Sequence, residues 1–338
     1  LVGVKVNENE KTGQVEVTMS NGMPLVSGDR AYSLEASTSP DDPAKTVVSY
    51  VDASGNKMAL DESKVTKGQL AGLFKFRNED LVEARNQLNQ LALQMANKFN
   101  EVNAAGYDLS GKQGGDLFSV ANPAAQANRN NAGDGSLNVS FTDISKVVAQ
   151  DYTITYKGPG QSDWEVKTAD GRTITPTVGD NGELQFDGIS ISPQGTPQPG
   201  DSFSLNPADG AAGKLGVAIE NGDGIAASSS SDPTDESNNE NIKALIAIKD
   251  AKVINNGTLS EAYASLVSSV GSSMGSLKAD MTTTGKSYNA AAQQQQSVSG
   301  VDLNEEMINL QMFTQYYQAN AQVLKTATDI FDTILSLQ

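Results

Sequence analysis

The stretch that decides the fold is Ser297–Gln338, which reads SVSGVDLNEEMINLQMFTQYYQANAQVLKTATDIFDTILSLQ and has no Gly or Pro after Gly300. Its apolar residues recur at alternating intervals of four and three, the heptad pattern of helices that pack side by side. One row comprises Leu303, Met307, Leu310, Tyr317, Leu324 and Phe331, and a second row beside it comprises Phe313, Tyr316, Val323, Ile330 and Ile334. The two rows predict a helix over residues 302–337 with an apolar face wider than a single partner helix needs.

The polar residues of this predicted helix are mostly amides and hydroxyls rather than charges, as at Asn309, Gln311 and Gln315. Such a composition favours packing into a protein assembly, although the pattern alone fits one buried helix of an ordinary core equally well. Gly300 is the expected break in the chain before this helix, and Asp302 is its expected N-cap. The two apolar rows are therefore the candidate subunit interface.

Three further helices are predicted upstream, near residues 78–105, 237–255 and 258–295. The first has Asn78 as its expected N-cap and Gly106 as its expected stop. The third begins with a capping box, because Thr258 precedes Glu261 by three residues and each side chain can bond the other's backbone N–H. Long helices thus occupy the middle and the end of the chain.

Short strands with alternating apolar and polar residues fill two other regions, about 1–65 and 137–207. In the second region, Asp170-Gly171 and Asn181-Gly182 supply hairpin turns at the spacing of a small sandwich or barrel. The predicted fold class is therefore α+β and multidomain, a long-helix rod or bundle that carries small antiparallel β modules.

The same pattern divides the chain into successive parts. They are a β-rich module (1–70), a long helix with an irregular segment (71–136), a β-sandwich or barrel-like module (137–207), a linker (208–235), a helical domain of return helices (236–298) and a C-terminal helix (299–338). The linker is expected to be flexible, because it is rich in glycine and serine. The chain begins at Leu1 within what reads as a strand, so we expect a truncated N-terminus.

Composition excludes several classes of function. The formal charge of −17 and the pI near 4.4 argue against nucleic acid and against anionic membranes, because phosphate groups require a basic patch. No apolar run reaches the roughly 18 residues that a membrane-spanning helix needs, so no membrane insertion is expected. With no Cys and no His, the chain lacks thiol nucleophiles and the commonest general base and metal ligand. Acidic residues beside glycines, as in Asp52–Asn56, fit ordinary turns, and we predict no catalytic residue, no metal site and no cofactor.

The C-terminal residues resemble a known signature. Ser297-x-Ser-Gly-Val-Asp-Leu-Asn-Glu-Glu306, Asn309-Leu310, Tyr316–Ala321 and Phe331-Asp332 are similar to the C-terminal motif shared by bacterial flagellar rod, hook and hook-associated proteins. Within that group, Leu259–Val270 and the Gln294–Val301 join resemble the hook-associated protein 1 family, the first hook–filament junction protein. The resemblance covers nearly the whole chain, whereas the C-terminal motif alone is shared by several axial proteins.

This resemblance implies a structural role in the bacterial flagellum, with residues 299–338 as the C-terminal axial polymerisation helix. The expected partners are further copies of the chain in a ring, the hook protein, the second hook–filament junction protein and an export chaperone on the C-terminal segment. The expected location is extracellular, after type III export without a cleaved signal peptide. Family members also carry an N-terminal helical region that pairs with the C-terminal helix, and we expect this chain to lack it.

Two other readings stay open at the level of sequence. The chain could be a different axial protein, namely a hook, rod or second junction protein, which would change its neighbours but not the packing of its terminal helix. It could also be a secreted adhesin or ligand-binding module whose region 137–207 binds a glycan or protein.

Overall fold

The computed structural model describes residues 2–159, 163–235, 237–300 and 303–335, and it gives no side-chain description for 298–299 and 331–335. Its contacts divide the chain into two compact units, Leu1–Ser272 and Ser273–Gln338. The predicted α+β class is confirmed, because long helices alternate with several small antiparallel sheets.

The strands are short and lie in the first unit. They are β1 (Val4–Glu8), β2 (Val15–Met19), β3 (Pro24–Ser27), β4 (Arg30–Ala31), β5 (Ser33–Thr38), β6 (Thr46–Val51), β7 (Lys57–Ala59), β8 (Phe118–Ser119), β9 (Gln126–Ala127), β10 (Ser136–Phe141), β11 (Tyr152–Tyr156), β12 (Trp164–Thr168), β13 (Thr173–Ile174), β14 (Thr177–Val178), β15 (Leu184–Phe186), β16 (Ile189–Gln194), β17 (Ser202–Leu205) and β18 (Gly216–Val217).

The helices differ greatly in length. They are α1 (Gln69–Lys75), α2 (Leu81–Ala104), α3 (Ala211–Lys214), α4 (Glu240–Ala247), α5 (Leu259–Ser299) and α6 (Leu303–Leu335). A π turn at Phe76–Asp80 joins α1 to α2. Short 3₁₀ turns occur at Glu62–Lys64, Ile144–Lys146, Gly222–Gly224 and Ile248–Asp250.

Strands β1–β7 form the first β module, residues 4–59, as two sheets of order β1-β2-β3-β4 and β5-β6-β7. Its buried core consists of Met19, Leu60 and Val65, and Phe74 of α1 closes it. The two sheets are also joined by Tyr50 of β6, whose hydroxyl donates to the carbonyl oxygen of Pro24 in β3 at 2.7 Å. The first module therefore has its own core, completed by the helix that follows it.

The predicted start of the first long helix at Asn78 is wrong. The chain is already helical from Gln69, and Asn78 lies inside the π turn, where its side-chain amide donates to Glu62 at 2.9 Å. Asn78 thus bonds a neighbouring segment rather than the N–H groups of its own helix. Phe74 explains the earlier start, because α1 must form for this side chain to enter the core of the first module.

Strands β9–β17 form the second β module, residues 126–205, as sheets of order β10-β16-β15-β14 and β13-β12-β11-β17-β9. Both sheets contribute alternate residues to one core, as expected for a sandwich. The core side chains are Leu137, Val139, Tyr152, Ile154, Trp164, Val166, Leu184, Phe186, Ile189, Ile191, Phe203 and Leu205, with Leu93 from α2. The module begins earlier than the predicted residue 137, because the short strand β9 pairs with β17.

Helix α2 holds the loops around it through a row of amide side chains. Gln90 donates to the carbonyl of Val147 at 2.7 Å and accepts from the backbone of Ala149 at 2.8 Å. Asn100 accepts from the backbone N–H groups of Leu117 and Phe118, both at 2.9 Å. Gln90 therefore supplies the hydrogen bonds that a sheet would give to an irregular segment, and Asn100 supplies those of the backbone where the two-residue strand β8 begins.

The end of this row is fully buried. Asn103 donates to the carbonyl oxygens of Gly115 at 2.8 Å and Gly224 at 3.1 Å, and it accepts from the N–H of Ala226 at 2.9 Å. Its neighbour across the loop is Gly114, where a Cβ would lie 2.1 Å from the carbonyl oxygen of Asn103. Asn103 therefore ties two distant loops to the last turn of α2.

Some of these contacts are made by residues 208–235, which the sequence predicts to be a flexible linker. The segment contains α3, β18 and a 3₁₀ turn, and Ala208 and Ala226 are fully buried. Asn89 of α2 accepts from the backbone of Ala212 at 3.1 Å. Small residues fit here because they let the backbone lie close to α2, which composition alone does not distinguish from flexibility.

The predicted helix 237–255 is shorter in the structure. Helix α4 ends at Ala247, a 3₁₀ turn reaches Asp250, and the next residue is extended. Asn255 and Asn256 both have positive φ, and the N–H of Gly257 bonds the carbonyl of Ile254 at 2.7 Å in a tight turn. Two consecutive left-handed residues are incompatible with a helix, so the helical pattern ends before them.

We expect Asn103→Ala to loosen the two loops that Asn103 joins. The substitution leaves the buried N–H of Ala226 without its acceptor, which costs about 1–3 kcal/mol and should speed local amide exchange about tenfold or more. Hydrogen-exchange mass spectrometry of peptides covering 113–118 and 222–228 measures this. Asn97→Ala is the matched control, since Asn97 bonds Glu101 on the same helix. Equal exchange in both variants would contradict the role given to Asn103.

Asp201 anchors the loops at one end of the second module. It is 3% exposed, and its carboxylate accepts from the backbone N–H groups of Ala132 at 2.8 Å, Gly133 at 3.0 Å and Gln198 at 2.8 Å. Burial favours the neutral form of this carboxyl, but the three donors favour the charged form more strongly and lower its pKa. The module is therefore stabilised by the ionised form.

We expect Asp201→Asn to lower the free energy of unfolding at pH 7 by about 1–3 kcal/mol, because an amide cannot accept all three bonds. A lowered folded-state pKa stabilises the protein above the unfolded value of about 4, and that contribution disappears as the pH falls through the folded value. The difference between wild type and variant should therefore shrink at acid pH. Urea unfolding followed by fluorescence of Trp164, the single tryptophan, measures it within this module. Asp180→Asn is the exposed control, and a difference independent of pH would contradict the assignment.

Candidate subunit interface on the C-terminal helix

Helix α6 runs for 33 residues, and three of its hydroxyl groups are bonded within the helix. The hydroxyls of Thr314, Thr326 and Thr328 donate to the carbonyl oxygens one turn earlier, at 2.8, 3.0 and 2.9 Å. Glu305 and Glu306 lie in the first turn, where the helix dipole favours negative charge. A helix with few charges and internally bonded hydroxyls can be covered by another protein without leaving these hydroxyls unpaired.

The predicted interface residues with described side chains are all exposed on this helix. Their exposed fractions range from 54% at Ile330 to 78% at Leu303. The residues are Leu303, Met307, Leu310, Phe313, Tyr316, Tyr317, Val323, Leu324 and Ile330. A row of large apolar side chains of this length is typical of a surface that another protein covers.

Three other predicted site residues fall outside this description. Asp302, the expected N-cap, lies outside the described residues, as do the side chains of Phe331 and Ile334. Gly300 lies at the break between α5 and α6, and its N–H bonds the carbonyl oxygen of Gln296 at 2.7 Å. A Cβ at position 300 would lie 2.2 Å from that oxygen, so this turn requires glycine unless the backbone moves.

The capping box of α5 has both of its bonds. The N–H of Thr258 donates to Glu261 at 2.8 Å, and the N–H of Glu261 donates to the Thr258 hydroxyl at 3.2 Å. These bonds from Thr258 lower the pKa of Glu261, so the box is present at neutral pH. The cap sets where α5 begins and therefore which residues lie on each of its faces.

Helix α5 has an apolar row of its own, and sequence reasoning missed three of its members. Its exposed members are Tyr263, Val267, Val270, Met274, Leu277, Met281 and Tyr288. They follow the same alternation of four and three as the rows of α6, and this spacing is the signal that identifies Val267, Met274 and Tyr288. In the first unit, the start of this row borders an open apolar groove with Ala84 and Leu88 of α2.

Among the described residues, no group of three or more acidic side chains is placed to hold a metal ion. The buried Tyr152 donates to Asp187 at 2.6 Å, and burial followed by this bond raises its pKa, so it stays protonated inside the module. None of the helices in the described part is long and apolar enough to cross a membrane.

Three family models match successive parts of the chain. Residues 1–118 match the helical domain of flagellar hook-associated protein FlgK, and residues 126–207 match the D2-like domain of flagellar hook-associated protein 1. Residues 280–337 match the C-terminal region of the flagellar basal body rod proteins FlgEFG. The last match contains α6, so the candidate interface belongs to a segment shared with rod proteins.

Curated relatives match along the whole chain. Flagellar hook-associated protein 1 of Salmonella typhimurium is 41% identical over 346 residues, which cover 100% of this chain and 62% of the relative. The Escherichia coli protein of the same name is 40% identical over 341 residues, 100% of this chain and 61% of the relative. The chain therefore spans about three-fifths of the length of the curated relatives it matches.

A solved structure shows the same fold. The flagellar hook junction protein FlgK from Burkholderia pseudomallei is 26% identical, with a TM-score of 0.76 over 88% of this chain and 76% of that one. Two family models of one protein match this chain, the curated proteins of that name are similar to it along its whole length, and a solved structure of that protein has the same fold. This chain belongs to the flagellar hook-associated protein 1 family.

Proposed function

We propose that the chain is a structural, non-catalytic subunit of the bacterial flagellum at the junction between hook and filament, assembled through α6. The observation that carries the proposal is the unpartnered apolar face of α6, which lies in the segment shared with the rod proteins. The names of the curated relatives and of the matching solved structure support the junction role. The proposed location is the extracellular flagellum, reached by export without a cleaved signal peptide.

The partners follow from this role. We infer contacts with further copies of the chain, with the hook protein on one side and with the second junction protein on the other. Repeated contact between unlike surfaces of identical subunits closes into a ring when the rotation allows it, which is the geometry that a tubular structure needs. We also infer that an export chaperone covers the C-terminal segment before assembly, because its apolar side chains are exposed in the isolated chain.

The energetics require that many of these side chains be buried together. Full burial of one Leu, Met or Phe side chain contributes about 1.5–3 kcal/mol. Association costs about 4–15 kcal/mol in translational and rotational freedom, so one or two side chains are not enough. A face as long as that of α6 exceeds this cost only when neighbouring subunits cover most of it, which couples the packing of α6 to assembly.

We expect the double substitution Leu310→Ser and Phe313→Ser to abolish incorporation at the hook end. It removes two central apolar side chains, worth about 3–6 kcal/mol of burial, and leaves both β modules unchanged. Co-sedimentation of the full chain with isolated flagellar hooks measures incorporation, and Trp164 fluorescence reports the integrity of the second module.

The matched control is Gln311→Ser with Gln315→Ser, which makes two similar truncations on the same helix at polar positions. This control should sediment like wild type. Normal sedimentation of the Leu310 and Phe313 variant would move the interface away from α6. Failure of the wild-type chain to sediment with hooks would contradict the junction role itself.

A further inference from the structure

The two β modules of the first unit have separate cores. Met19, Leu60, Val65 and Phe74 form the core of the first module, and none of them belongs to the core of the second. Helix α1 contributes Phe74 to the first core, whereas α2 contributes Leu93 to the second. The modules are therefore two packed bodies on one helical path rather than one continuous core.

The helical path between the two cores is lightly packed. No side chain from Lys75 to Leu88 is buried, although Phe74 before it and Asn89 after it both are. This neck, residues 75–88, contains the π turn, and π turns often occur at functional sites. Within the described residues, Oδ2 of Asp80 is also buried without a hydrogen-bond partner. A helical path that contains a π turn can bend there, because π bulges are among the usual sites of helix kinks.

The N-terminal side of the neck belongs to the first module. Arg77 pairs with Glu62, donates to the carbonyl oxygen of Thr46 and lies over the ring of Phe74 at 5.4 Å. Glu62 also accepts from the backbone N–H of Val48 at 3.2 Å. These bonds fix the π turn to the first module.

The C-terminal side of the neck is held by residues that follow β17. Arg85 pairs with Asp209 at 2.8 Å, and Asn86 accepts from the side chain of Asn206 at 2.9 Å, so bending is confined to the residues between Asp80 and Arg85.

A small polar contact joins the modules away from the neck. In the described part of the chain it consists of three hydrogen bonds that the loop Pro40–Asp41 accepts. Asn128 donates to the Asp41 carboxylate, the Ser204 hydroxyl donates to the Asp41 carbonyl at 3.0 Å, and the N–H of Arg129 donates to the Pro40 carbonyl at 2.8 Å. Each of these bonds can be exchanged for bonds to water at small net cost.

We propose that the first β module is a hinged arm, which pivots between Asp80 and Arg85 and is held against the second module by the Asp41 latch. The latch, defined as the contact of Pro40–Asp41 with Asn128, Arg129 and Ser204, closes the arm through hydrogen bonds. Such a device gives a subunit two orientations of one module at little change in packing. The inference concerns the isolated chain and does not depend on its assignment to the hook–filament junction.

The latch can be broken and restored by exchanging two side chains. Asn128→Asp removes the donor to Asp41 and sets two carboxylates against each other, while keeping the oxygen that accepts from the backbone of Asn130. Asp41→Asn in the same chain restores one amide facing one carboxylate, with the roles reversed. Asn130→Asp is the matched control, since it adds the same charge two residues away on an exposed side chain.

The experiment measures the distance between spin labels on the two modules by double electron–electron resonance. The labels are attached at Lys11→Cys in the first module and Asp180→Cys in the second, both exposed, in a chain with no native cysteine. Wild type and the Asn130→Asp control should give one narrow distance with a second component below about 10%. Asn128→Asp should make the second component the larger one, and the exchanged pair should return it to the wild-type level.

Each outcome decides the proposal. An unchanged narrow distance in Asn128→Asp would show that the modules are held rigidly without the latch and would overturn the hinge. A broad distribution in wild type, or one that the exchanged pair fails to narrow, would overturn the latch. Trp164 fluorescence detects unfolding of the second module. If Asn128→Asp unfolds that module, the spin-label distance of the exchanged pair is the deciding measurement. Hook co-sedimentation tests the junction role separately.

Discussion

The first unit depends on hydrogen bonds from the amide side chains of α2 to the backbone of loops. Gln90 and Gln94 bond the irregular segment 144–149, Asn100 bonds the chain where the two-residue strand β8 begins, and the buried Asn103 joins two loops at the end of the helix. An amide offers both a donor and an acceptor without a charge, so it can satisfy a buried loop at low desolvation cost. One helix therefore organises segments distant in the sequence, where an apolar face alone would leave their backbone groups unpaired.

Much of the fold could be predicted from local pattern. The strands of the second module alternate in sequence because each has one face in the shared core, so Ile154, Phe186 and Phe203 mark their strands directly. The long helices can be predicted equally well, since apolar residues at heptad spacing over many turns fit no other regular structure. The spacing of apolar residues on α6 predicts an interface. The structure leaves these side chains exposed, and the interface stays a prediction.

The remaining features depend on tertiary contacts that no local pattern encodes. Asn78 has the chemistry of an N-cap, but the helix extends past it because Phe74 is needed in the first core, and its amide bonds Glu62 instead. The small residues of 208–235 read as a linker, although they are small because the backbone packs on α2. Strand β9 has two residues and is a strand only because it pairs with β17. In each case the decisive partner lies far away in the sequence.

The same amide chemistry bears on the specificity of the proposed interface. On α2, amides that are buried meet backbone groups, and a small displacement of the helix would leave several of them unpaired. On α6, Asn309, Gln318 and Asn320 border rows of apolar side chains that are exposed in the isolated chain. Apolar rows alone tolerate a slip of one heptad, since the pattern repeats every seven residues. Amides that must find partners on burial penalise such a slip, so these three amides would define the register and the apolar residues the strength of assembly.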